Sequence, residues 1–269
     1  MPYPFQIQTR SDYDQQYAKS IEDPIGFWSE IASHFKFSKK WDQVLSWNFK
    51  EPRIKWFEGA KLNITENCID RHLESKMDQP AIIWEANDPL ENKRIITYKE
   101  LHQTVCEFAA VLKRHGVQKG DRVCIYMGMI PELVIAMLAC ARIGAIHNVV
   151  FGGFSAQSLI DRIQDAQVSC IISCDGAFRG SKTIELKAIV DEALLQCPTV
   201  KTQIVYQRTH SKINMLEGRD FWWHEELTKI NSLHSVSTAP EPMDAEDLLF
   251  ILYTSGSTGK PKGVVHTCA

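Results

Sequence analysis

The 269-residue sequence has no uninterrupted apolar run near the roughly 18 residues that a transmembrane helix needs. Its longest candidate, 133–141, reaches half that length. The N-terminus lacks the charged segment and apolar run of a signal peptide. With a formal net charge of −3, the chain also lacks the positive excess typical of nucleic-acid or membrane-surface binding. These absences predict a cytoplasmic protein that binds neither nucleic acid nor membranes.

The eight cysteines include no CxxC pair, so their spacing indicates no zinc site. Most lie in apolar stretches such as VCIYM and SCIIS, which is typical of reduced cysteines packed as small hydrophobic residues. Cys170 and Cys174 would share one face of a strand without meeting, and we expect no metal site there. The sequence has no serine-hydrolase elbow, and its FGGF segment lacks the third glycine of a dinucleotide-binding fingerprint.

Two regions differ in composition. Residues 1–78 are rich in aromatic and charged residues, and one stripe between residues 25 and 35 has helical spacing. From residue 79 onward, apolar β-rich runs alternate with amphipathic segments. We interpret residues 1–78 as a helical N-terminal extension and residues 79–269 as the main domain.

The main domain is predicted to alternate strands and helices. Predicted strands are AIIWE (81–85), RIITY (94–98), RVCIYM (122–127), AIHNVV (145–150), VSCIIS (168–173) and TQIVY (202–206). Predicted helices cover 98–115, 131–143, 155–166 and 184–195. This pattern predicts an α/β fold, a mainly parallel sheet with helices on both faces, whose ligands bind beyond the carboxyl ends of the strands. Residues 209–244 break the pattern, and we expect them to cross the surface.

The segment YTSGSTGKPKG at 253–263 is the most informative, and it lies between two apolar runs. Glycines allow positive φ, so successive N–H groups can converge on an anion, while hydroxyl and ammonium groups supply donors and charge. The segment therefore predicts a loop that binds the phosphates of ATP. The predicted binding residues are Thr254, Ser255, Gly256, Ser257, Thr258, Gly259, Lys260, Lys262 and Gly263.

Two other interpretations of this loop are disfavoured. A plain hairpin turn seldom needs eleven residues with four hydroxyls and two lysines. The P-loop pattern GxxxxGK[ST] fails because only two residues separate Gly256 from Gly259 and because Pro261 follows Lys260. Elsewhere, His147 lies in an apolar strand, which favours a hydrogen-bonded core histidine over a catalytic base.

The loop matches every fixed position of the signature [YF]TSGSTGxPKG of the adenylate-forming superfamily, which includes acyl-CoA synthetases, luciferases and peptide-synthetase adenylation domains. Segments along the whole chain resemble acetyl-CoA synthetase, the short-chain acyl branch. They are PIGFWSEIA (24–32), KWFEGAKLNITENCIDRHL (55–73), VVFGGFSAQSLIDRI (149–163), EGRDFWWHE (217–225) and FILYTSGSTGKPKGVVHT (250–267). The resemblance implies that 1–78 is the N-terminal extension of that branch and that 79–269 is part of its large AMP-binding domain.

The resemblance implies an AMP-forming acid–thiol ligase with ATP, as its Mg²⁺ complex, acetate and CoA as substrates. The carboxylate attacks the α-phosphate of ATP, which gives an acyl-adenylate and pyrophosphate, and the thiol of CoA then displaces AMP. The loop would stabilise charge on the departing pyrophosphate. A propionyl- or other short-chain acyl-CoA synthetase, or a non-catalytic nucleotide- or CoA-binding module, remains an alternative.

The resemblance also implies a CoA site in two segments. The CoA nucleotide would lie over Phe151, Gly152 and Gly153, and its 3′-phosphate would meet the segment Arg179, Gly180, Ser181 and Lys182. The family commonly has arginine at the position of Lys182. Core packing of Phe151 and a solvated pair of cations at 179 and 182 are the plain structural alternatives.

Members of the family carry further motifs after the loop: an acyl pocket, the glutamate that holds Mg²⁺, and a C-terminal domain with the adenylation lysine. The present sequence has only three residues after His266. We therefore expect a fragment with negligible ligase activity by itself. We also expect an exposed apolar surface, for which the partner would be the missing C-terminal part of the enzyme.

Overall fold

The computed structural model of the chain describes residues 6–232, 239–255 and 259–269. The chain forms two compact units. The N-terminal unit comprises residues 1–62, 244–246 and 269, and the main unit comprises residues 63–243 and 247–268.

The N-terminal unit contains a pair of helices and a hairpin. Its elements are α1 (Arg10–Glu22), α2 (Pro24–Ser33), β1 (Gln43–Asn48), β2 (Arg53–Glu58) and β3 (Lys61–Leu62). A reciprocal capping box between Thr9 and Asp12 begins α1. The rings of Phe37 and Trp41 pack edge to face with centroids 5.2 Å apart, and the Phe57 ring lies 5.1 Å from Trp41. The strands were not predicted, because aromatic residues without period-2 alternation give no strand signal.

The main unit carries the remaining elements, with β13 at its boundary. Its helices are α3 (Ile64–Cys68), a short 3₁₀ helix (Asp70–His72), α4 (Leu73–Lys76), α5 (Tyr98–Arg114), α6 (Pro131–Arg142), α7 (Ala156–Ala166), α8 (Leu186–Leu194) and α9 (Trp223–Asn231). Its strands are β4 (Pro80–Trp84), β5 (Arg94–Thr97), β6 (Arg122–Met127), β7 (Ile146–Phe151), β8 (Cys170–Cys174), β9 (Ala177–Arg179), β10 (Lys182–Ile184), β11 (Thr202–Tyr206), β12 (Asp220–Trp222), β13 (Met243–Asp244), β14 (Leu248–Thr254) and β15 (Lys262–Thr267).

Seven strands form the central sheet in the order β12-β11-β8-β6-β7-β14-β15. Every neighbouring pair is parallel except β14 with β15. The chain passes from β6 to β7 in one direction and from β7 to β8 in the other. Because parallel crossovers are almost always right-handed, α6 and α7 lie on opposite faces of the sheet. The predicted α/β fold with a mainly parallel sheet is confirmed.

The core is the sheet and the inner sides of these helices. The buried residues of β6 form a continuous apolar run, and those of β8 are apolar except for Ser173, as expected for strands covered on both faces. The capping box of Thr97 and Glu100 begins α5 as predicted. No helix of the described ranges is both long and apolar enough to cross a membrane.

The prediction that residues 209–244 only cross the surface was wrong. Strand β12 extends the central sheet by pairing in parallel with β11. In α9, Trp223 is buried and its ring stacks on Phe108 of α5 with centroids 3.5 Å apart. A strand of three residues is too short to show period-2 alternation, so sequence periodicity could not reveal it.

Candidate nucleotide-binding site

A cleft of about 410 Å³ lies in the main unit at the carboxyl ends of the parallel strands. The cleft lies where strands β6 and β7 end. From this point α6 and α7 continue on opposite faces of the sheet. The residues that line it are Trp84, Glu85, Ala86, Asn87, Met127, Gly128, Met129, Ile130, Phe151, Gly152, Ala177, Phe178, Arg179, Gly180, Ile184 and Arg208. Four of the predicted CoA-binding residues are among them, and the two predicted CoA segments therefore meet at one cleft.

The first of these segments is the turn after β7. The Phe151 side chain is 55% exposed, so core packing does not account for it. A Cβ atom on Gly152 would lie 2.7 Å from the carbonyl oxygen of Met127, and only glycine fits this close approach. The hydroxyl of Tyr126 donates a 2.6 Å hydrogen bond to the carbonyl oxygen of Phe154. Gly153 lies in the same turn. The turn is thus fixed while the Phe151 ring faces solvent.

The second segment is the antiparallel hairpin of β9 and β10. Arg179 and Lys182 are direct cross-strand partners, with Gly180 and Ser181 between them. Directly paired residues project to the same side of a hairpin. Both cations are exposed, and like charges directly opposite each other are destabilising. Arg179 and Gly180 line the cleft, while Ser181 and Lys182 lie beside it.

Sequence reasoning missed the other residues of the cleft wall, among them Trp84, Phe178 and Arg208. The Arg208 guanidinium lies 5.5 Å from the Trp84 ring centroid and 4.8 Å from that of Phe178. The indole N–H of Trp84 donates a 2.8 Å hydrogen bond to the carbonyl oxygen of Met129. Trp84 and Arg208 lie at or just after the ends of predicted strands, where this fold class places its ligands, and that position was the available signal.

The predicted phosphate loop connects β14 and β15. Tyr253 pairs with Gly263 and Thr254 with Lys262 across this hairpin. Gly256, Ser257 and Thr258 lie outside the described residues. Of the other predicted residues, Thr254, Ser255, Gly259, Lys260, Lys262 and Gly263 are all exposed. The φ of Gly259 is +83°, which agrees with the positive-φ argument made for the loop's glycines.

The base of this loop is anchored to α7. The Tyr253 hydroxyl donates a 2.6 Å hydrogen bond to the carboxylate of Asp165. Burial, together with that carboxylate, raises the pKa of Tyr253. The Arg162 guanidinium lies 5.4 Å from the Tyr253 ring and 4.9 Å from the Phe154 ring. Because β14 is parallel to β7, the loop and the turn after Phe151 share the carboxyl edge of the sheet.

His147 is buried in β7, as expected for a core histidine. Its ring packs 5.5 Å from that of Phe250. Its Nδ1 has no hydrogen-bond partner among the described residues, so the predicted hydrogen bond is not found at that nitrogen. Burial lowers the pKa of His147 to about 4. A neutral imidazole in the sheet is not placed to act as a base for a ligand in the cleft.

Comparisons with protein families agree with this architecture. The model of the AMP-binding enzymes matches residues 69–269, and the model described as the acetyl-coenzyme A synthetase N-terminus matches residues 13–68. Among solved structures, the acetoacetyl-CoA synthetase from Streptomyces lividans superposes with a TM-score of 0.83 at 28% identity. That superposition covers 93% of this chain and 37% of the other.

Curated relatives are more similar in sequence. The acetyl-coenzyme A synthetase of Magnetococcus marinus is 55% identical over 95% of this chain, and acetyl-coenzyme A synthetase 2 of Pseudomonas putida is 51% identical over 96%. In both cases the match spans 39% of the relative's length. Because the family model covers most of the sequence, the chain belongs to the family of AMP-binding enzymes.

Proposed function

We propose that this chain supplies the CoA-nucleotide and ATP-phosphate parts of an acetate–CoA ligase. The reaction would convert ATP, acetate and CoA into AMP, pyrophosphate and acetyl-CoA through an acetyl-adenylate. One observation carries the proposal: an exposed aromatic ring, Phe151, and the cation Arg179 line one cleft at the carboxyl edge of the sheet, and Lys182, the cross-strand partner of Arg179, lies beside that cleft.

The chemistry of these groups fits a nucleotide with a phosphate at its edge. An exposed ring offers an adenine base a surface for stacking. Two cations held opposite each other gain most from an anion between them, because the anion removes their mutual repulsion. Arg179 can bind a phosphate through two N–H groups, whereas Lys182 acts as a point charge. The 3′-phosphate of CoA has the charge and position that this arrangement needs.

The phosphate loop would serve the first half-reaction. Its described donors, the hydroxyls of Thr254 and Ser255 and the ammonium groups of Lys260 and Lys262, fit phosphate oxygens. ATP would enter as its Mg²⁺ complex, with the protein ligand of the metal outside these residues. Donors fixed before reaction would stabilise the charge that develops on pyrophosphate.

Replacing Arg179 with alanine should raise the dissociation constant for CoA about ten- to hundred-fold, since a hydrogen bond to a charged group contributes about 1.5–3 kcal/mol. The affinity for 3′-dephospho-CoA should stay within about two-fold, because that ligand lacks the phosphate that Arg179 would bind. Isothermal titration calorimetry with both ligands measures the difference. Lys113→Ala, which removes an exposed cation of α5 outside the cleft, is the control. Equal losses for the two ligands would contradict the assignment.

The 269-residue chain alone should show no acetate-dependent exchange between ATP and pyrophosphate. Correct orientation of the reacting groups lowers the activation barrier of such reactions by about 7–11 kcal/mol. The acyl pocket that would orient acetate is proposed to lie outside this chain. Incorporation of radiolabelled pyrophosphate into ATP measures this exchange activity, with the full-length Magnetococcus marinus relative as the positive control. Exchange that depends on acetate and follows the purified chain would overturn this part of the proposal.

The proposed partner is the remainder of the synthetase. Several apolar side chains of the terminal hairpin are exposed, namely Leu248, Leu252, Val264 and Val265. Leu252 and Val264 are direct cross-strand partners and share one face of the hairpin, whereas Val265 projects to the other face. Exposed apolar side chains of this kind are typical of surfaces that another segment covers. These residues lie on the two strands that carry the phosphate loop, so a covering segment would be adjacent to the ATP phosphates.

A further inference from the structure

The walls of the cleft come from segments that are far apart in sequence. One wall follows β4, another follows β7, and a third is the β9–β10 hairpin that carries Arg179. Each strand of that hairpin has three residues. Isolated two-stranded hairpins are at best marginally stable in water. The position of Arg179 must therefore depend on contacts outside its own hairpin.

Asp175, directly after β8, supplies such contacts. The residue is fully buried, and its carboxylate accepts four backbone N–H groups. Its Oδ1 accepts from Gly176 and Arg208 at 2.7 Å each and from Thr209 at 3.0 Å, and its Oδ2 accepts from Ser211 at 3.1 Å. Gly176 leads into the β9–β10 hairpin, while the other three residues follow β11. One carboxylate thus joins the start of the hairpin to the loop after β11.

Arg208 extends this connection to the other wall. Its backbone N–H binds Asp175, and its guanidinium lies between the rings of Trp84 and Phe178. Its Nη2 also donates a 2.6 Å hydrogen bond to the Glu91 carboxylate. Trp84 is the last residue of β4, Glu91 belongs to the segment after that strand, and Phe178 belongs to the hairpin. Guanidinium groups bind well to aromatic faces, so Arg208 holds both walls.

We propose that Asp175 and Arg208 are positioning residues that assemble the cleft and set the distance between Arg179 and the aromatic wall for the nucleotide part of CoA. The identity of the ligand rests on the proposed function, whereas the assembly of the walls does not. Neither residue needs to touch the ligand. The position of Arg208 depends on Asp175, because Asp175 fixes the backbone of Arg208 and the entry to the hairpin.

The test compares Asp175→Asn, Arg208→Gln and Arg208→Lys with the unaltered 269-residue chain. Asparagine keeps the size of the side chain but has one acceptor oxygen and an NH₂ group that faces the N–H donors. Lysine keeps a cation for Glu91 but lacks the planar group that stacks on the rings. Asp70→Asn is the matched control, because it disrupts a carboxylate–arginine pair that does not line the cleft.

Two measurements separate positioning from general destabilisation. Amide hydrogen exchange in residues 177–184 should accelerate at least about ten-fold in Asp175→Asn and Arg208→Gln, less in Arg208→Lys, and not in Asp70→Asn. Calorimetry should show about ten-fold weaker CoA binding with ATP affinity changed less than about two-fold, whereas a loss of folded protein would weaken both together.

Unchanged exchange in residues 177–184 for Asp175→Asn would overturn the positioning role. Parallel losses of CoA and ATP affinity would also overturn it, because they would indicate a structural effect only. If the unaltered chain binds no CoA, the proposed function loses its support, and the exchange data still decide whether these two residues assemble the walls.

Discussion

Replacing Asp70 with asparagine should lower the free energy of unfolding by about 1.5–3 kcal/mol, the usual contribution of hydrogen bonds to a charged group. Arg142, at the end of α6, is only 2% exposed. Its two terminal nitrogens each donate a 2.9 Å hydrogen bond to the Asp70 carboxylate, and Nη1 also lies 3.1 Å from the Thr65 hydroxyl. The substitution removes one charged partner of a guanidinium that has little access to water, while the other contacts of Arg142 remain.

Chemical denaturation, monitored by circular dichroism at neutral pH, measures this loss. The matched control is Asp14→Asn, which breaks a pair with Arg10 on the exposed surface of α1. Exposed pairs four residues apart on a helix contribute about 0.3–0.5 kcal/mol, so the control should change little. A loss of stability at Asp70 no larger than that of the control would show that Arg142 finds other compensation.

The lowered pKa of Asp70 indicates that Arg142 stabilises the charged form of this carboxyl. Burial would raise the pKa of this carboxyl, but the hydrogen bonds and charge of Arg142, with His102, outweigh burial and lower it. A carboxyl with a lowered pKa stabilises the fold above its unfolded pKa, and this contribution is lost as the pH falls through its folded pKa. The pair therefore contributes fully at neutral pH and is lost only in strong acid.

His147 should make the stability of the main unit depend on pH between about 4 and 6.5. Its folded pKa is about 4, while a histidine in an unfolded chain titrates near 6.5. In this window the unfolded chain binds a proton that the folded chain excludes, so stability is complete above about pH 6.5 and falls as the pH is lowered. The difference in pKa corresponds to about 3 kcal/mol by pH 4.

The measurement is the free energy of unfolding at several pH values for the unaltered chain and for His147→Phe. Phenylalanine removes the titrating group and keeps a ring against Phe250, so the variant should lose less stability on acidification. His224→Gln, which changes an exposed histidine at the start of α9, is the control. If the two pH profiles run parallel for His147→Phe, the imidazole is accessible to protons in the folded state.

Most strands of the central sheet were predictable because their sequences are rich in apolar and β-favouring residues. RVCIYM is apolar at every position after its arginine, TQIVY ends in three consecutive β-favouring residues, and their predicted bounds agree with β6 and β11. Pro131 and the Thr97–Glu100 capping box marked where helices begin. The hairpin of the N-terminal unit gave no such signal, because its strands mix aromatic and charged residues, and β12, with three residues, is too short to show period-2 alternation.

The same distinction applies to the candidate site. Loops whose function requires particular residue types, such as YTSGSTGKPKG and FGG, are visible in sequence. Asp175 and Arg208 are not, because a carboxylate that accepts backbone N–H groups and a guanidinium between two rings are defined by what surrounds them. The roles assigned to the loop and cleft residues remain predictions until ligand binding is measured.

The pairing of β7 with β14 has a consequence for how the protein is made. His147 lies beside Phe250 in the sheet, although about a hundred residues separate them in the chain, and contacts of such long range form late in folding. At synthesis rates of about 5–20 residues per second, β14 leaves the ribosome several seconds after β6, β7 and β8. During that interval one edge of β7 is open in the nascent chain. A pause in translation after β11 would lengthen the exposure of this edge, and chaperone binding there would be strongest before β14 arrives.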